Sequence, residues 1–286
     1  NMHAVSVTGR PWHELDRALL ECRPLIGVLT DHVHTPRAIA KRMMEYHLDK
    51  DYTMRVAEHL GNPKKEKIYN IYSIEEISEM SFSCPNCVLL MKAPNSTQQR
   101  PALGIPDTKF VLLNDRAKMI TKAPIRVIDL SLLELHNSRT FWDIGACTGS
   151  VSIEARHQYP HLNIQAFEVR EECKDIIRAN ARLQSAPGID LHIGNFLNLP
   201  IAEDAIVDAV FIGGHGGKLK EIICKVASHL DKLKGKIVFN SVSEESNKLF
   251  REAVEENDLK LHSEMNITVD SNNPITILCA TGKYHV

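Results

Sequence analysis

Nine residues near the middle of the chain constrain its fold more than any others. Residues 141–149 read Phe-Trp-Asp-Ile-Gly-Ala-Cys-Thr-Gly, so an apolar stretch leads into a glycine-containing turn, and residues 150–157 have a helical pattern. Glycine has no Cβ and adopts positive φ, which lets the backbone of such a turn come close to a ligand. A helix that starts there presents free N–H groups to the same ligand. The stretch therefore predicts a strand, a tight turn and the start of a helix.

The spacing of the small residues in this turn distinguishes two classes of nucleotide site. A dinucleotide-binding fingerprint needs G-x-G-x-x-G, whereas Gly145, Cys147 and Gly149 form G-x-C-x-G. With Asp143 in front, the pattern resembles the first motif of class I S-adenosylmethionine (SAM) methyltransferases. Taken alone, the motif also fits an ordinary strand–turn–helix of any α/β protein.

A second acidic residue supports a nucleotide ligand. Residues 163–168, Asn-Ile-Gln-Ala-Phe-Glu, predict the next strand, which ends in Glu168 about 20 residues beyond the glycine turn. A carboxylate at that strand end can accept hydrogen bonds from two ribose hydroxyls. The alternative is a solvated carboxylate at the end of a strand.

Composition excludes several classes of protein. The chain has 286 residues, enough for one large or two ordinary domains, and a net charge of -2, so it lacks the basic excess of a nucleic-acid-binding protein. No apolar run approaches the roughly 18 residues of a membrane helix, and no signal peptide is visible. The seven cysteines are scattered, and Cys84-Pro-Asn-Cys87 lacks the second pair that a zinc site needs. We expect a cytoplasmic protein without a metal, a membrane partner or a nucleic-acid partner.

Strand and helix patterns alternate in the second part of the chain. Beyond Glu168, helices are predicted at 171–184, 218–232 and 244–257, and strands at 191–193, 206–212, 235–240, 259–269 and 275–281. Alternating βα units imply a parallel sheet with helices on both faces. No helix separates the last two strands, so one of them is expected to be antiparallel. Residues 1–92 form a smaller first unit, the polar segment 93–104 is a predicted linker, and the second unit spans 105–286.

Several stretches of the second unit resemble one family. They are Gly104-Ile-Pro-Asp107, Met119-Ile-Thr-Lys122, residues 143–155, Phe211-Ile-Gly-Gly-His-Gly-Gly217 and Asn273-Pro274. In order and spacing they are similar to the precorrin-6Y C15-methyltransferases (decarboxylating) of cobalamin biosynthesis. The resemblance implies the seven-stranded, Rossmann-like sheet of class I methyltransferases with the last strand antiparallel, SAM as cofactor, and a homotetramer. The implied substrate is a corrin-precursor tetrapyrrole, which is methylated at C15 and loses the carboxyl group of its ring C acetate.

The resemblance also implies site residues. The expected cofactor-binding residues are Thr121, Gly145, Ala146, Cys147, Gly149, Glu168, Gly194, Asn195 and Gly213. The expected substrate-binding residues are Gly214, His215, Gly216 and Gly217. His215 is only a speculative acid–base group, because serine often stands there in the family, and no catalytic residue is assigned. Asn195 replaces the usual adenine-binding acid, and Pro124 replaces a usual glutamate.

Three charged side chains are left with open roles at this point. Lys218 and Arg126 are either partners of substrate carboxylates or solvated charges. Glu154, on the helix after the glycine turn, is interpreted as a helix-surface or subunit-interface residue without a catalytic role.

The first unit resembles a different methylase. Residues 5–10, 29–40 and 58–63 are similar to the C-terminal half of the partner C5-methyltransferase, a tetrapyrrole methylase, and the two enzymes are often fused in this order. The glycine-rich half of that methylase is not in this chain, so we expect no methylation by the first unit alone. Two other functional classes stay open for the chain: a methyltransferase acting on RNA or another small molecule, and a non-catalytic SAM-binding module.

Overall fold

A computed structural model describes residues 1–96, 100–116, 119–270 and 273–284. Its internal contacts divide the chain into two compact units, residues 1–101 with 181–188 and residues 102–180 with 189–286. The predicted linker includes residues 97–99, which lie outside the described residues. The predicted domain boundaries therefore stay predictions.

The first unit is a small α/β layer built on a five-stranded sheet in the order β1-β2-β5-β3-β4. Strands β1 and β2 are parallel, and the other neighbours pair antiparallel. Two of its helices begin at side-chain caps: the Thr35 side chain accepts the Ala38 N–H, and Ser73 with Glu76 forms a reciprocal capping box. Its elements are β1 (His3–Ser6), α1 (His13–Leu20), β2 (Leu25–Leu29), α2 (Pro36–Glu45), β3 (Tyr52–Glu58), β4 (Lys67–Tyr72), α3 (Ile74–Glu79) and β5 (Asn86–Lys92).

The second unit has a seven-stranded sheet in the order β11-β12-β10-β9-β6-β7-β8. Its elements are α4 (Ala123–Leu132), β6 (Thr140–Ile144), α5 (Ser150–Gln158), β7 (Asn163–Glu168), α6 (Cys173–Leu183), β8 (Ile189–Ile193), β9 (Ala209–Ile212), α7 (Leu219–His229), β10 (Lys236–Ser241), α8 (Glu244–Glu256), β11 (Leu259–Ile267) and β12 (Ile275–Gly282). The last strand, β12, is antiparallel to both of its neighbours, while β6 to β10 pair in parallel. This confirms the predicted Rossmann-like sheet.

The strand order reverses direction at β6. From β6 the chain builds β7 and β8 outward on one side, and then returns to place β9 and β10 on the other. In open parallel sheets, ligands bind outside the carboxyl ends of the strands at such a reversal. Burial accounts for the central position of β9 in the sheet, because every residue of that strand is buried. The topology therefore directs attention to the loops after β6 and β9.

No helix in the described part of the chain combines the length and the apolar character that crossing a bilayer requires.

Candidate active site

A cavity of about 350 Å³ lies at the carboxyl ends of β6, β7, β8 and β9, in the second unit. Strand ends, the loops that follow them and the start of α7 line it. The lining residues are Ile144, Gly145, Phe167, Glu168, Val169, Arg170, Gly194, Asn195, Phe196, Gly214, His215, Gly216, Lys218 and Ile222. The cavity thus occupies the reversal point that the topology indicates.

Two glycine loops meet backbone to backbone at the floor of the cavity. Gly145 has φ +78°, and a Cβ there would lie 2.6 Å from the backbone nitrogen of Gly214. Gly213 donates its N–H to the Ile144 carbonyl at 2.9 Å, and a Cβ there would lie 2.9 Å from the Phe211 ring. At Gly214, in contrast, the nearest atom to an added Cβ is 4.0 Å away. Glycine is therefore required at 145 and 213 for packing, whereas Gly214 leaves space open.

Glu168 uses its whole carboxylate on donors from this chain. The side chain is 1% exposed and accepts the Cys147 N–H at 2.8 Å. Arg170 supplies three further donors, its backbone N–H at 3.0 Å, Nε at 2.9 Å and Nη2 at 3.3 Å. Burial raises the pKa of Glu168, but the hydrogen bonds from Arg170 and Cys147 outweigh burial and hold that pKa below its usual value. The ionised carboxylate thus has all four of its acceptor positions filled.

The loop after β8 brings Gly194 and Asn195 to the same cavity. Gly194 donates its N–H to the carbonyl of Glu168 at 2.8 Å, and the Asn195 side-chain oxygen accepts the Leu197 N–H at 3.1 Å. An amide oxygen has two lone pairs, so Asn195 retains one acceptor position.

His215 is held as a neutral hydrogen-bond donor. The Gly217 N–H donates to Nδ1 at 3.2 Å, which requires an unprotonated Nδ1 and places the ring proton on Nε2. Burial lowers the pKa of His215 below its ordinary 6.5, so the ring is neutral at pH 7. Because its lone pair is engaged by Gly217, the ring is suited to donate a hydrogen bond rather than to act as a base.

Arg126 and Glu154 are not the surface charges that the sequence suggested. Both side chains are fully buried and form an ion pair with Nε 3.0 Å from Oε2. Arg126 also binds Asp107 at 2.8 Å, and Glu154 accepts the Ile105 N–H at 3.0 Å. Arg126 is therefore neither a solvated charge nor a partner of substrate carboxylates, and Glu154 is neither a helix-surface nor a subunit-interface residue. The pair instead ties residues 105–107 to α4 and α5.

Two further carboxyl groups of the second unit, those of Asp143 and Asp129, are buried. Asp143 accepts the Ser152 N–H at 3.1 Å and its hydroxyl at 2.6 Å, and burial raises the pKa of Asp143 to about 6. Asp129, on α4, accepts the Asn240 side-chain N–H at 2.8 Å, and burial raises the pKa of Asp129 to about 8. Asp129 is therefore mostly protonated at pH 7.

The structure brings together about half of the sequence-predicted site. Gly145, Glu168, Gly194, Asn195, Gly214, His215 and Gly216 line the cavity, as does Lys218. Among the described residues, those predicted for the site but outside this lining are Thr121, Ala146, Cys147, Gly149, Gly213 and Gly217.

Several of those outside the lining still shape the cavity. Gly149 is the N-cap of α5, with φ +73°, and a Cβ there would lie 3.0 Å from Ile177. Cys147 holds Glu168 through its N–H. Sequence reasoning missed six lining residues: Ile144, Phe167, Val169, Arg170, Phe196 and Ile222. For all but Ile222, only a position close to a predicted site residue, Gly145, Glu168 or Asn195, could have indicated them. Within the described ranges, no group of three or more His, Cys, Asp or Glu side chains could hold a metal ion.

Comparison with known proteins places the second unit in one family. Residues 113–277 match the model of the precorrin methyltransferase domain. The cobalt-precorrin-6B C(15)-methyltransferase (decarboxylating) of Salmonella typhimurium is 35% identical over 127 residues, which are 44% of this chain and 64% of that protein. The precorrin-6Y C(5,15)-methyltransferase (decarboxylating) of Sinorhizobium sp is 27% identical over 242 residues, which are 84% of this chain and 56% of that protein.

A solved structure agrees with these relatives. The crystal structure of precorrin-6y C5,15-methyltransferase from Geobacter metallireducens is 33% identical, with a TM-score of 0.58, and its whole chain is covered by 64% of this one. The chain spans less than two thirds of the length of the curated relatives described above. The match to the family model covers more than half of the chain, and this chain belongs to the precorrin methyltransferase family.

Proposed function

We propose that the chain is a SAM-dependent methyltransferase that methylates a corrin precursor at C15 and releases the carboxyl group of the ring C acetate as CO2, in cobalamin biosynthesis. One observation carries the proposal: the glycine turn after β6 and the Gly-Gly-His-Gly-Gly loop after β9 meet at one cavity in a chain of the precorrin methyltransferase family. The named relatives support this chemistry, since both are decarboxylating methyltransferases of precorrin substrates.

The residues around the cavity fit SAM, which supplies an electrophilic methyl group on its sulfonium. In this proposal Gly145, Ala146, Cys147 and Gly149 hold the methionine end, Glu168 binds the ribose, Gly194 and Asn195 lie beside the adenine, Gly213 supports the turn, and Thr121 closes the other side. The ribose hydroxyls take the place of Arg170 donors on Glu168. Arg170 is one-third exposed and can withdraw, whereas the buried Cys147 N–H stays in place.

The loop after β9 fits a flat, anionic macrocycle. Added Cβ atoms at Gly216 and Gly217 would meet nothing within 4 Å, and the space at Gly214 is also open. Carboxylates that reach this space meet the Nε2–H of His215, backbone N–H groups and the ammonium of Lys218, whose side chain is 62% exposed. Gly214, His215, Gly216 and Gly217 are therefore the proposed substrate residues, with Lys218 at the rim.

The reaction requires alignment more than acid–base chemistry from this chain. Methyl transfer is a displacement at carbon, so a correctly oriented substrate accounts for much of the rate. When CO2 leaves, the conjugated macrocycle and its imine nitrogens accept the electron pair that remains. The contribution of the chain is to hold the polyanion, exclude water and hold the neutral His215 as a donor. An obligatory acid–base role for His215 is not part of the proposal.

The expected homotetramer and cytoplasmic location stay predictions. A methyltransferase for RNA or another small molecule and a non-catalytic SAM-binding module are the competing outcomes of the following experiment.

The full chain is incubated with SAM and the C5-methylated precursor, and products are identified by mass. We expect one added methyl group and the loss of CO2. Gly214→Val should keep near-normal SAM affinity in calorimetry but lose both methylation and decarboxylation, because its side chain fills the substrate space.

Gly145→Ala is the matched control, since its Cβ meets the Gly214 backbone and should weaken SAM binding. Full turnover by Gly214→Val would place the substrate elsewhere. Equal loss of SAM binding in both variants would assign the loop to the cofactor. Cofactor binding by the unmodified chain without any product would favour the competing outcomes, a methyltransferase of another substrate or the non-catalytic module.

A further inference from the structure

One lysine outside the cavity holds a wall of the cavity in place. Lys225, on α7, directs its ammonium to three backbone carbonyls of the loop after β8. Its Nζ lies 2.8 Å from the oxygen of Phe196, 3.2 Å from that of Leu197 and 2.8 Å from that of Leu199. Three N–H donors of one ammonium thus meet three carbonyls.

The loop needs a cation at this position because of its own turn. Asn195 accepts the N–H groups of Asn198 and Leu199 through its carbonyl, and that of Leu197 through its side chain. These bonds fold residues 195–199 so that neighbouring carbonyl oxygens converge on one point. Converging carbonyls carry partial negative charge and repel one another, and hydrogen bonds to an ionised donor are the strong ones. The ammonium of Lys225 therefore stabilises this turn against opening.

The same ammonium also contacts an aromatic side chain of the cavity wall. It lies 5.0 Å from the centroid of the Phe196 ring, within cation–π range. That ring is 5% exposed and packs edge to face on Phe167 at 5.0 Å and on Trp142 at 6.0 Å. Lys225 thus holds both the backbone and the ring of Phe196.

We propose that Lys225 is a positioning residue for the cofactor: its ammonium holds residues 194–199 in the conformation that binds the adenosyl part of SAM. Gly194, Asn195 and Phe196 line the cavity, while Lys225 is not among the lining residues. The inference rests on the proposed function. Because Lys225 acts through the loop and not on the reacting atoms, its loss should weaken SAM binding without changing the rate of the bound complex.

The test compares two lysines of one helix in the full chain. Lys225→Met keeps most of the side-chain stem but removes the ammonium, and we expect SAM to bind about tenfold more weakly in calorimetry, with kcat at saturating SAM unchanged. Lys220→Met is the control, because Lys220 pairs with Glu252 and Glu256 and not with carbonyls. It should bind SAM like the unmodified chain. Unchanged affinity in Lys225→Met, or an equal loss in Lys220→Met, would overturn the inference.

Chemical rescue separates positioning from a general loss of structure. Lys225→Ala lacks the atoms of a propylammonium ion, so added n-propylammonium should restore SAM affinity, whereas 1-propanol, which is of similar size but uncharged, should not. Equal effects of the two additives would overturn the role of the ammonium. If the unmodified chain itself fails to bind SAM, the proposed function fails. If it binds SAM and Lys225→Met binds it equally well, only the present inference fails.

Discussion

In the proposed function, the carboxylate of Glu168 serves both the glycine turn and the cofactor. It holds the Cys147 N–H from inside the chain and faces the cavity with the donors of Arg170 around it. We expect Glu168→Ala to weaken SAM binding about ten- to a hundredfold. Hydrogen bonds to a charged acceptor contribute about 1.5–3 kcal/mol. Isothermal calorimetry of the full chain measures this.

Asp208 offers a matched control at the opposite end of the sheet. It precedes β9, is 5% exposed, accepts the N–H groups of Arg139 and Thr140, and pairs with Lys234 at 3.0 Å. Asp208→Ala also removes backbone hydrogen bonds and an ion pair, but it should leave SAM affinity unchanged. If the two variants lower SAM affinity equally, the role assigned to Glu168 is wrong.

At the scale of elements, we expect the contact between α4 and β10 to make the stability of the second unit depend on pH. Asp129 binds Asn240 across this contact, and its pKa is about 8, raised by burial. An aspartate in the unfolded chain has a pKa near 3.9. Between these two values the folded chain holds a proton that the unfolded chain has released. Stability from this group is therefore full below about pH 4 and falls as the pH rises toward 8.

We expect Asp129→Asn to flatten the fall in stability between about pH 6 and pH 8, because the amide cannot ionise. Asp143, with a pKa of about 6, titrates in both proteins, so comparing the two proteins cancels its contribution. Urea midpoints at pH 6 and pH 8.5 measure the effect, and the variant should be the more stable protein at pH 8.5. The exposed Asp175, changed to Asn, serves as the control. A fall of the same size in Asp129→Asn and in the unmodified chain would contradict a neutral Asp129.

At the scale of the whole molecule, we expect the two units to differ in what they bind. All residues that line the cavity belong to the second unit, and the crystallised Geobacter chain is covered in full by 64% of this chain. We expect one SAM per chain and the same stoichiometry for a fragment of residues 105–286. Calorimetric titration of both proteins tests this. Two cofactors per full chain would show that the first unit also binds SAM.

Local patterns in the sequence were sufficient to predict the strands, the turn and the helices that carry the site. The glycine spacing predicted β6, the turn and α5, and the alternation predicted the βα units. The missing helix between the last two strands predicted that one of them is antiparallel, and that strand is β12. Turn chemistry and apolar periodicity act within a few residues, so a sequence displays them directly. Strands β1 and β4 and helix α1 were not predicted, because segments of four, six and eight residues leave little periodicity to detect.

What only the tertiary structure decided is which charges meet. Arg126 lies 28 residues before Glu154, and Lys225 lies 29 residues after Phe196, so no local pattern pairs them. The sequence alone determined that Arg126, Glu154 and Lys225 are charged, and it led us to place Arg126 and Glu154 in contact with solvent, a substrate or another subunit. The fold buried that pair and directed Lys225 to a cavity wall. Whether a charge is solvated, paired or held by carbonyls depends on the burial that distant segments produce together.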